Sequence, residues 1–210
     1  MRIEIWTDII CPWCGLGRHR LDAALARFEH ADKVELVHRS FQLDERAPIG
    51  VTESVRTLLE RKTGMSDAQI ESSVNRVERM AEAEGLRPYI VLENRAGNTS
   101  LAHELATWAT ELGHGKDTWA MLYNAYFGEA RSIFDVDVLV ALAAELGLDP
   151  LEAREVLTSR RYAERIIADA REARALGARG VPFIVIDRHV AIAGAQSADV
   201  ILGALESAWR

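Results

Sequence analysis

The chain has 210 residues, which suits one large domain or a core domain that carries an insertion. Its 25 lysines and arginines against 32 aspartates and glutamates give a formal net charge of −7. This acidic balance argues against nucleic-acid binding, because nucleic-acid-binding domains usually present a basic face. No apolar run reaches the ~20 residues that a membrane-spanning helix needs, and the first residues resemble a strand and not a signal peptide. We therefore expect a cytoplasmic protein that binds neither nucleic acid nor a membrane.

In chain order, the first forty residues predict a strand, a helix and a second strand. Ile3 and Ile5 alternate with other residues, as in a strand with one buried face. Leu21 and Phe28 then fall on one helical face, and residues 34–41 are rich in strand-forming types. Because a helical crossover joins the two strands, they are predicted to be parallel.

The middle of the chain changes character, and from about residue 51 to residue 177 the apolar residues follow helical spacing. Side chains typical of helix N-termini mark the predicted starts: Ser66 with Gln69 as a capping box, Asn98 or Thr99, Asp135, and Asp149 before Pro150. An aromatic stripe runs from Trp119 to Phe127. It is predicted to be core, with an exposed apolar groove as the alternative.

Strands return near the end of the chain. Residues 183–186 and 190–192 flank a short turn and predict an antiparallel hairpin. Ser197 is placed to cap a final helix. The order predicts an α/β fold, a mixed sheet built as β-α-β … α-β-β-α and interrupted by an all-helical insertion. We assign residues 1–45 and 151–210 to the sheet domain and residues 46–150 to the insertion.

The segment Cys11-Pro12-Trp13-Cys14 holds the two cysteines of the chain, three positions apart between a strand and a helix. A disulfide-stapled scaffold is excluded by this count. At a helix N-terminus, the free N–H groups and the macrodipole stabilise a thiolate. Cys11 is therefore the predicted nucleophile, exposed at the helix tip, and Cys14 the buried thiol that resolves a mixed disulfide. Pro12 suits the first helical turn, and Trp13 is predicted to be exposed beside the thiols.

Two other interpretations of the cysteines remain open. A structural zinc site needs four ligands as a rule. His19 could be a third ligand, but it lies two helical turns from Cys11 and no fourth is apparent. The pair could also be two inert buried thiols, although placement at a helix tip favours reactivity. We predict no metal.

Gly180-Val181-Pro182 precedes the first returning strand. A proline at the start of a strand is tolerated in the trans form, and a minority of X–Pro bonds are cis. Near a dithiol, a cis bond before Pro182 would turn the Val181 backbone outward, where it could pair with an extended substrate segment.

These residues resemble the DsbA-type thioredoxin-fold oxidoreductases, and within them the FrnE-like branch. The resemblance spans the chain and lies in five segments: residues 7–14, Phe41-Gln42-Leu43, residues 98–103, residues 180–183 and Gly194-Ala195-Gln196. It implies dithiol–disulfide exchange, with Cys11 as nucleophile, Cys14 as resolving thiol and Pro182 as a cis-proline. Asn98 and His103 are predicted to line the substrate site, although a histidine on such a helix face is more often structural.

The predicted function is a thiol–disulfide oxidoreductase or isomerase that acts on protein or low-molecular-weight disulfides. No cofactor is implied, and glutathione or mycothiol could serve as a co-substrate. The absence of a histidine between the cysteines departs from the strongly oxidising relatives. The alternatives are a glutathione-dependent isomerase or transferase of small aromatic compounds, and a non-catalytic redox sensor. Monomer and homodimer both remain open.

Overall fold

The computed structural model describes residues 1–209. Its elements, in chain order, are β1 (Arg2–Thr7), α1 (Pro12–Arg27), β2 (Glu35–Ser40), β3 (Thr52–Ser54), α2 (Val55–Thr63), α3 (Asp67–Ala83), β4 (Arg95–Gly97), α4 (Ser100–Glu111), α5 (Gly115–Tyr123), α6 (Val136–Glu145), α7 (Pro150–Ser159), α8 (Ala163–Ala175), β5 (Phe183–Ile186), β6 (Val190–Ala193) and α9 (Ala198–Ala208). A 3₁₀ turn (Ala31–Lys33) precedes β2, and a π-helical turn (Asn124–Gly128) continues α5.

The chain divides into two compact units. The first unit comprises Met1–Leu43 and the chain from Arg165 onward, and the second unit is Asp44–Glu164. The second unit begins close to the predicted position but ends at Glu164 instead of residue 150. The reason is that α7 packs against α4 and α6 and so belongs to the helical unit.

The first unit is built on a four-stranded mixed sheet with the order β2-β1-β5-β6. β1 and β2 are parallel, in a register that pairs Ile3 with Leu36. β5 is antiparallel to both β1 and β6. This is the predicted fold, with the two ends of the sequence completing one sheet.

Helices cover both faces of this sheet. The side chains of Ile3 and Ile5 point to one face, where they pack with apolar residues of α1 and α9. Trp6 points to the other face and packs with Ala170 and Ala173 of α8. The alternation of β1 therefore separates two cores, as the period of two along a strand requires.

The α8 face also holds a buried ionic cluster. The guanidinium of Arg39 on β2 donates to the Glu4 carboxylate at 2.8 Å and to Asp169 at 3.1 Å. Hydrogen bonds to Glu4 raise the pKa of Arg39, even though burial acts in the opposite direction. Pairing of this kind lets charged groups occupy an interior site that would otherwise exclude them.

The second unit is helical apart from one short ladder. β3 and β4 pair antiparallel and form a separate two-stranded sheet. An all-helical insertion was predicted from the sequence, and this ladder was not expected, because strands of three residues leave no detectable alternation.

Most predicted helix starts are confirmed. Ser66 and Gln69 form the capping box, and Asp135 and Asp149 each accept two backbone N–H groups at the next helix. Ser197 accepts from Val200 N at the start of α9. The aromatic stripe is core, with Trp119 to Phe127 buried at its apolar positions. Within residues 1–209, every helix is too short or too polar to cross a membrane.

Candidate active site

The two cysteines lie at the start of α1, where β1 has just ended. Cys11 is the N-cap residue and Pro12 occupies the first helical position. The backbone N–H of Cys11 donates to Asp8 O at 3.2 Å, and that of Cys14 donates to Cys11 O at 2.9 Å. A turn from Asp8 thus leads into the helix, and it sets both sulfurs at the helix tip.

Both cysteines are free thiols, and their surroundings differ. Cys14 has no exposed surface. Burial raises the pKa of the Cys14 thiol well above its usual range, and Cys11 beside it raises this pKa further. A backbone hydrogen bond from Asp8 acts in the opposite direction without reversing the shift. Cys14 therefore holds its proton more firmly than a solvated thiol.

The prediction that Cys11 is exposed is wrong, because only 5% of its surface is accessible. Its Sγ lies 3.8 Å from the carbonyl oxygen of Val181, to which the thiol donates a weak hydrogen bond. The segment before β5 therefore lies directly against the sulfur. The accessible part of Cys11 is therefore small, and it lies beside the Val181 backbone.

The Val181–Pro182 peptide bond is cis. Pro182 is buried and Val181 is half-buried. The Pro182 carbonyl accepts from Gly194 N at 2.9 Å, which ties this segment to the turn after β6. The Cys11-Pro12-Trp13-Cys14 segment and the Val181-Pro182 segment thus lie next to each other in the first unit, although Cys11 and Val181 are 170 residues apart in the chain.

The two residues between the cysteines are less buried than the cysteines themselves. Pro12 and Trp13 are both half-buried, so the indole is less exposed than the sequence predicted. Asp8 is fully buried. Its Oδ2 accepts the Leu43 backbone N–H at 2.7 Å, so this aspartate bonds the loop after β2.

Asn98 and His103 are buried within the second unit. Asn98 Nδ2 donates to Ala47 O at 2.6 Å, while its Oδ1 accepts from Ser100 N at 2.9 Å. His103 has no exposed surface and packs edge-on against Trp119. Both side chains are thus largely shielded from solvent, and their role in lining a substrate site stays a prediction. Their environments fit structural roles.

Two residues near the dithiol were missed by the sequence analysis. Gly17 on α1 faces Pro182, and Arg20 on the same helix donates to Ala195 O. Gly17 could have been noticed in the sequence, because a glycine inside a helix is unfavourable unless local packing requires it.

Among the described residues, no group of three or more His, Cys, Asp and Glu side chains could hold an ion. His19 is half-buried on α1. What the site offers is two adjacent free thiols beside the Val181 backbone, one of them fully buried, which suits thiol–disulfide exchange.

Comparison with known proteins agrees with this geometry. A family model described as the DSBA-like thioredoxin domain matches residues 2–206. The chain belongs to the DSBA-like thioredoxin domain family. It is 44% identical to a probable DsbA oxidoreductase from Streptomyces coelicolor, whose crystal structure superposes with a TM-score of 0.95. That match covers 100% of this chain and 90% of the other.

Two more distant members of the fold show how widely it is used. The cytosolic disulfide reductase DsbM from Pseudomonas aeruginosa is 20% identical, with a TM-score of 0.67 and coverage of 99% of this chain and 98% of DsbM. A 2-hydroxychromene-2-carboxylate isomerase is 19% identical, with a TM-score of 0.71 and coverage of 99% and 94%. At these identities the likeness shows the fold alone. The chain has the fold of a DsbA-like thiol–disulfide oxidoreductase.

Proposed function

We propose that this DSBA-like protein is a dithiol oxidoreductase in which Cys11 attacks disulfides and Cys14 resolves the mixed disulfide. The observation that carries the proposal is the pair of free thiols at the tip of α1, with Cys14 buried and Cys11 against the Val181 carbonyl. The likeness to the Streptomyces coelicolor oxidoreductase supports the same chemistry.

The exchange proceeds in two balanced steps. The Cys11 thiolate forms an S–S bond with one sulfur of the substrate disulfide, and the other substrate sulfur leaves as a thiolate. Cys14 then attacks Cys11 Sγ, the mixed disulfide breaks, and the second substrate sulfur leaves. The proton of Cys14 passes to a departing thiolate. The other substrate thiolate takes its proton from solvent, to which Cys11 released one on forming its thiolate. The substrate thus gains two electrons and two protons, and the protein holds a Cys11–Cys14 disulfide.

The raised pKa of Cys14 gives the two thiols different roles. A buried neutral thiol is a poor nucleophile, because the thiolate is the reactive form. Cys14 therefore stays unreactive until a mixed disulfide on Cys11 places a sulfur within its reach. This order of events keeps substrate attack at Cys11, which retains a small accessible surface while Cys14 has none.

The substrate class that we propose is a protein or low-molecular-weight disulfide. Val181 is half-buried and its carbonyl lies 3.8 Å from Cys11 Sγ. Its backbone would pair with an extended peptide segment of the substrate. Two equivalents of a thiol such as glutathione or mycothiol would return the pair to its reduced state and leave as their own disulfide. In the cytoplasm, where we place the protein, the net direction would be reduction or isomerisation.

The test is the equilibrium between the thiols and their disulfide in glutathione buffers, measured by thiol alkylation and mass spectrometry. We expect a reversible intramolecular disulfide that is absent from Cys11→Ser and Cys14→Ser. A reduction potential of about −250 mV or lower would indicate a reductase, and about −150 mV an oxidase or isomerase. If the wild-type thiols never form this disulfide, or if glutathione-dependent turnover survives in Cys11→Ser, the proposal is wrong.

A further inference from the structure

Helix α1 passes unusually close to Pro182 at one residue. A Cβ atom added to Gly17 would lie 2.7 Å from Pro182 Cγ and 3.3 Å from its Cβ. Carbon atoms in contact are normally about 3.5–4.0 Å apart, and a proline ring has little freedom to move aside. The helix can therefore hold this distance only with glycine at position 17.

A second contact ties the same helix to the turn after β6. Arg20, one turn beyond Gly17, is buried and donates from Nη1 to the Ala195 carbonyl at 2.7 Å. The Cβ of a residue at position 17 would also meet Ala195 Cα at 3.5 Å. Hydrogen bonds from a charged donor are stronger than neutral ones, so Arg20 fixes the turn to the helix.

The turn is in contact with the proline segment as well. Gly194 N donates to Pro182 O at 2.9 Å, and the neighbouring Val181 carbonyl lies 3.8 Å from Cys11 Sγ. These contacts form a continuous series that begins and ends on α1. They run from Cys11 through Val181 and Pro182 to the turn, and return to α1 through Gly17 and Arg20.

We propose that Gly17 and Arg20 are positioning residues, which act through Pro182 and Ala195 to set the distance between Cys11 and the Val181 edge. The inference rests on the proposed function and deepens it. Neither residue touches the reacting sulfurs in this scheme. Their effect is to hold the peptide-pairing edge where a substrate disulfide bound on it meets Cys11.

The size of the expected effect follows from geometry. A Cβ at position 17 must push Pro182 or α1 apart by roughly 1 Å to restore normal contact. Misplacement on this scale slows a reaction that depends on orientation by one to two orders of magnitude. A reaction of Cys11 that needs no backbone edge would be unaffected.

The experiment compares two reactions of reduced Gly17→Ala. One is turnover of a peptide–glutathione mixed disulfide, and the other is alkylation of Cys11 by iodoacetamide, which requires no pairing. We expect kcat/KM for the peptide disulfide to fall about tenfold and the alkylation rate to stay at the wild-type value. The control is Gly203→Ala in α9, because a Cβ there meets nothing within 4 Å.

Arg20 supplies a second variant in case Gly17→Ala folds poorly. Arg20→Met keeps an unbranched side chain but loses the bond to Ala195 O. It should show the same selective loss to a smaller degree, and Arg20→Lys should restore part of it. Far-UV circular dichroism and the unfolding midpoint establish that each variant compared is folded.

Each outcome decides a different point. If wild type does not turn over the peptide disulfide, or Cys11→Ser does so equally well, the proposed function fails and this inference with it. If wild type is active, and Gly17→Ala and Arg20→Met have the same kcat/KM for the peptide disulfide as Gly203→Ala, the proposed function stands and only the positioning role of Gly17 and Arg20 fails. Equal losses in turnover and alkylation would also overturn it, since the thiol itself would then be altered.

Discussion

Buried polar side chains occur in both units, but they are held in different ways. In the second unit, the Glu104 carboxylate accepts from the Arg160 guanidinium and from Tyr162 N, the latter at 3.0 Å. In the first unit, the Cys11 thiol has a weak contact of 3.8 Å to a carbonyl. Carboxylate bonds of this kind fix a loop, whereas a weakly bonded thiol is left able to react.

The comparison teaches that burial alone does not identify a functional residue. Asn98, His103 and Cys14 are all buried. The amide of Asn98 is bonded to the backbone on both sides, and the sulfur of Cys14 is adjacent to a second sulfur in a low-dielectric site. The partners of a buried group, more than its exposure, indicate whether it supports the fold or carries chemistry.

The largest expected effect is at the dithiol. Cys11→Ser should lose disulfide exchange by about a thousandfold or more, because a serine hydroxyl cannot replace the thiolate nucleophile. Cys14→Ser should instead accumulate a mixed disulfide on Cys11, since no thiol resolves it. Mass spectrometry after incubation with oxidised glutathione distinguishes the two, and equal trapping by both variants would contradict the assigned roles.

Removal of Glu104 should affect stability and leave the chemistry intact. Glu104→Ala leaves Tyr162 N and the partly exposed Arg160 without their acceptor, and we expect a loss of about 3 kcal/mol in unfolding free energy. Urea denaturation measures it. The exchange rate per folded molecule should equal that of wild type. A slower rate at unchanged stability would mean that the second unit takes part in the chemistry.

The pH dependence of stability should report the raised pKa of Cys14. Above a pH of about 8.5, the usual thiol pKa, the unfolded chain releases the Cys14 proton while the folded protein retains it. Unfolding free energy should then fall by about 1.4 kcal/mol per pH unit from this group. Reduced wild type and Cys14→Ala are compared by urea unfolding at pH 7, 8.5 and 9.5. Parallel pH profiles would disprove the assignment.

The smallest predicted effect concerns Asn98. Asn98→Ala loses the bonds to Ala47 O and Ser100 N, so we expect about 1 kcal/mol less stability and an unchanged KM for disulfide substrates. Thermal unfolding and steady-state kinetics provide the two measurements. An increased KM in the folded variant would instead support the prediction that Asn98 lines the substrate site.

Local interactions were the most predictable from the sequence. Capping by Ser66, Asp135 and Asp149 involves partners two or three residues away, and side-chain type and spacing therefore sufficed. The parallel pairing of β1 and β2 followed from the length of the connection between them. The dithiol was predictable for the same reason, because its two cysteines and its helix start lie within four residues.

Distant contacts were not predictable. The β3–β4 ladder joins Thr52–Ser54 to Arg95–Gly97, and nothing near either strand indicates the other. The end of the second unit at Glu164 follows from the packing of α7 against α4 and α6, and α4 is distant from α7 in the chain. The burial of Cys11 depends on Val181 in the same way.

The sequence by itself determined the fold class, the helix starts and the two thiols, because each depends on residue type and short-range spacing. The tertiary structure decided that Cys11 is shielded as well as Cys14, that Asn98 and His103 are buried, and how closely α1 approaches Pro182. Those properties arise from packing between segments that the chain brings together only on folding. The requirement for glycine at position 17 arises from its contact with Pro182, which lies 165 residues further along the chain.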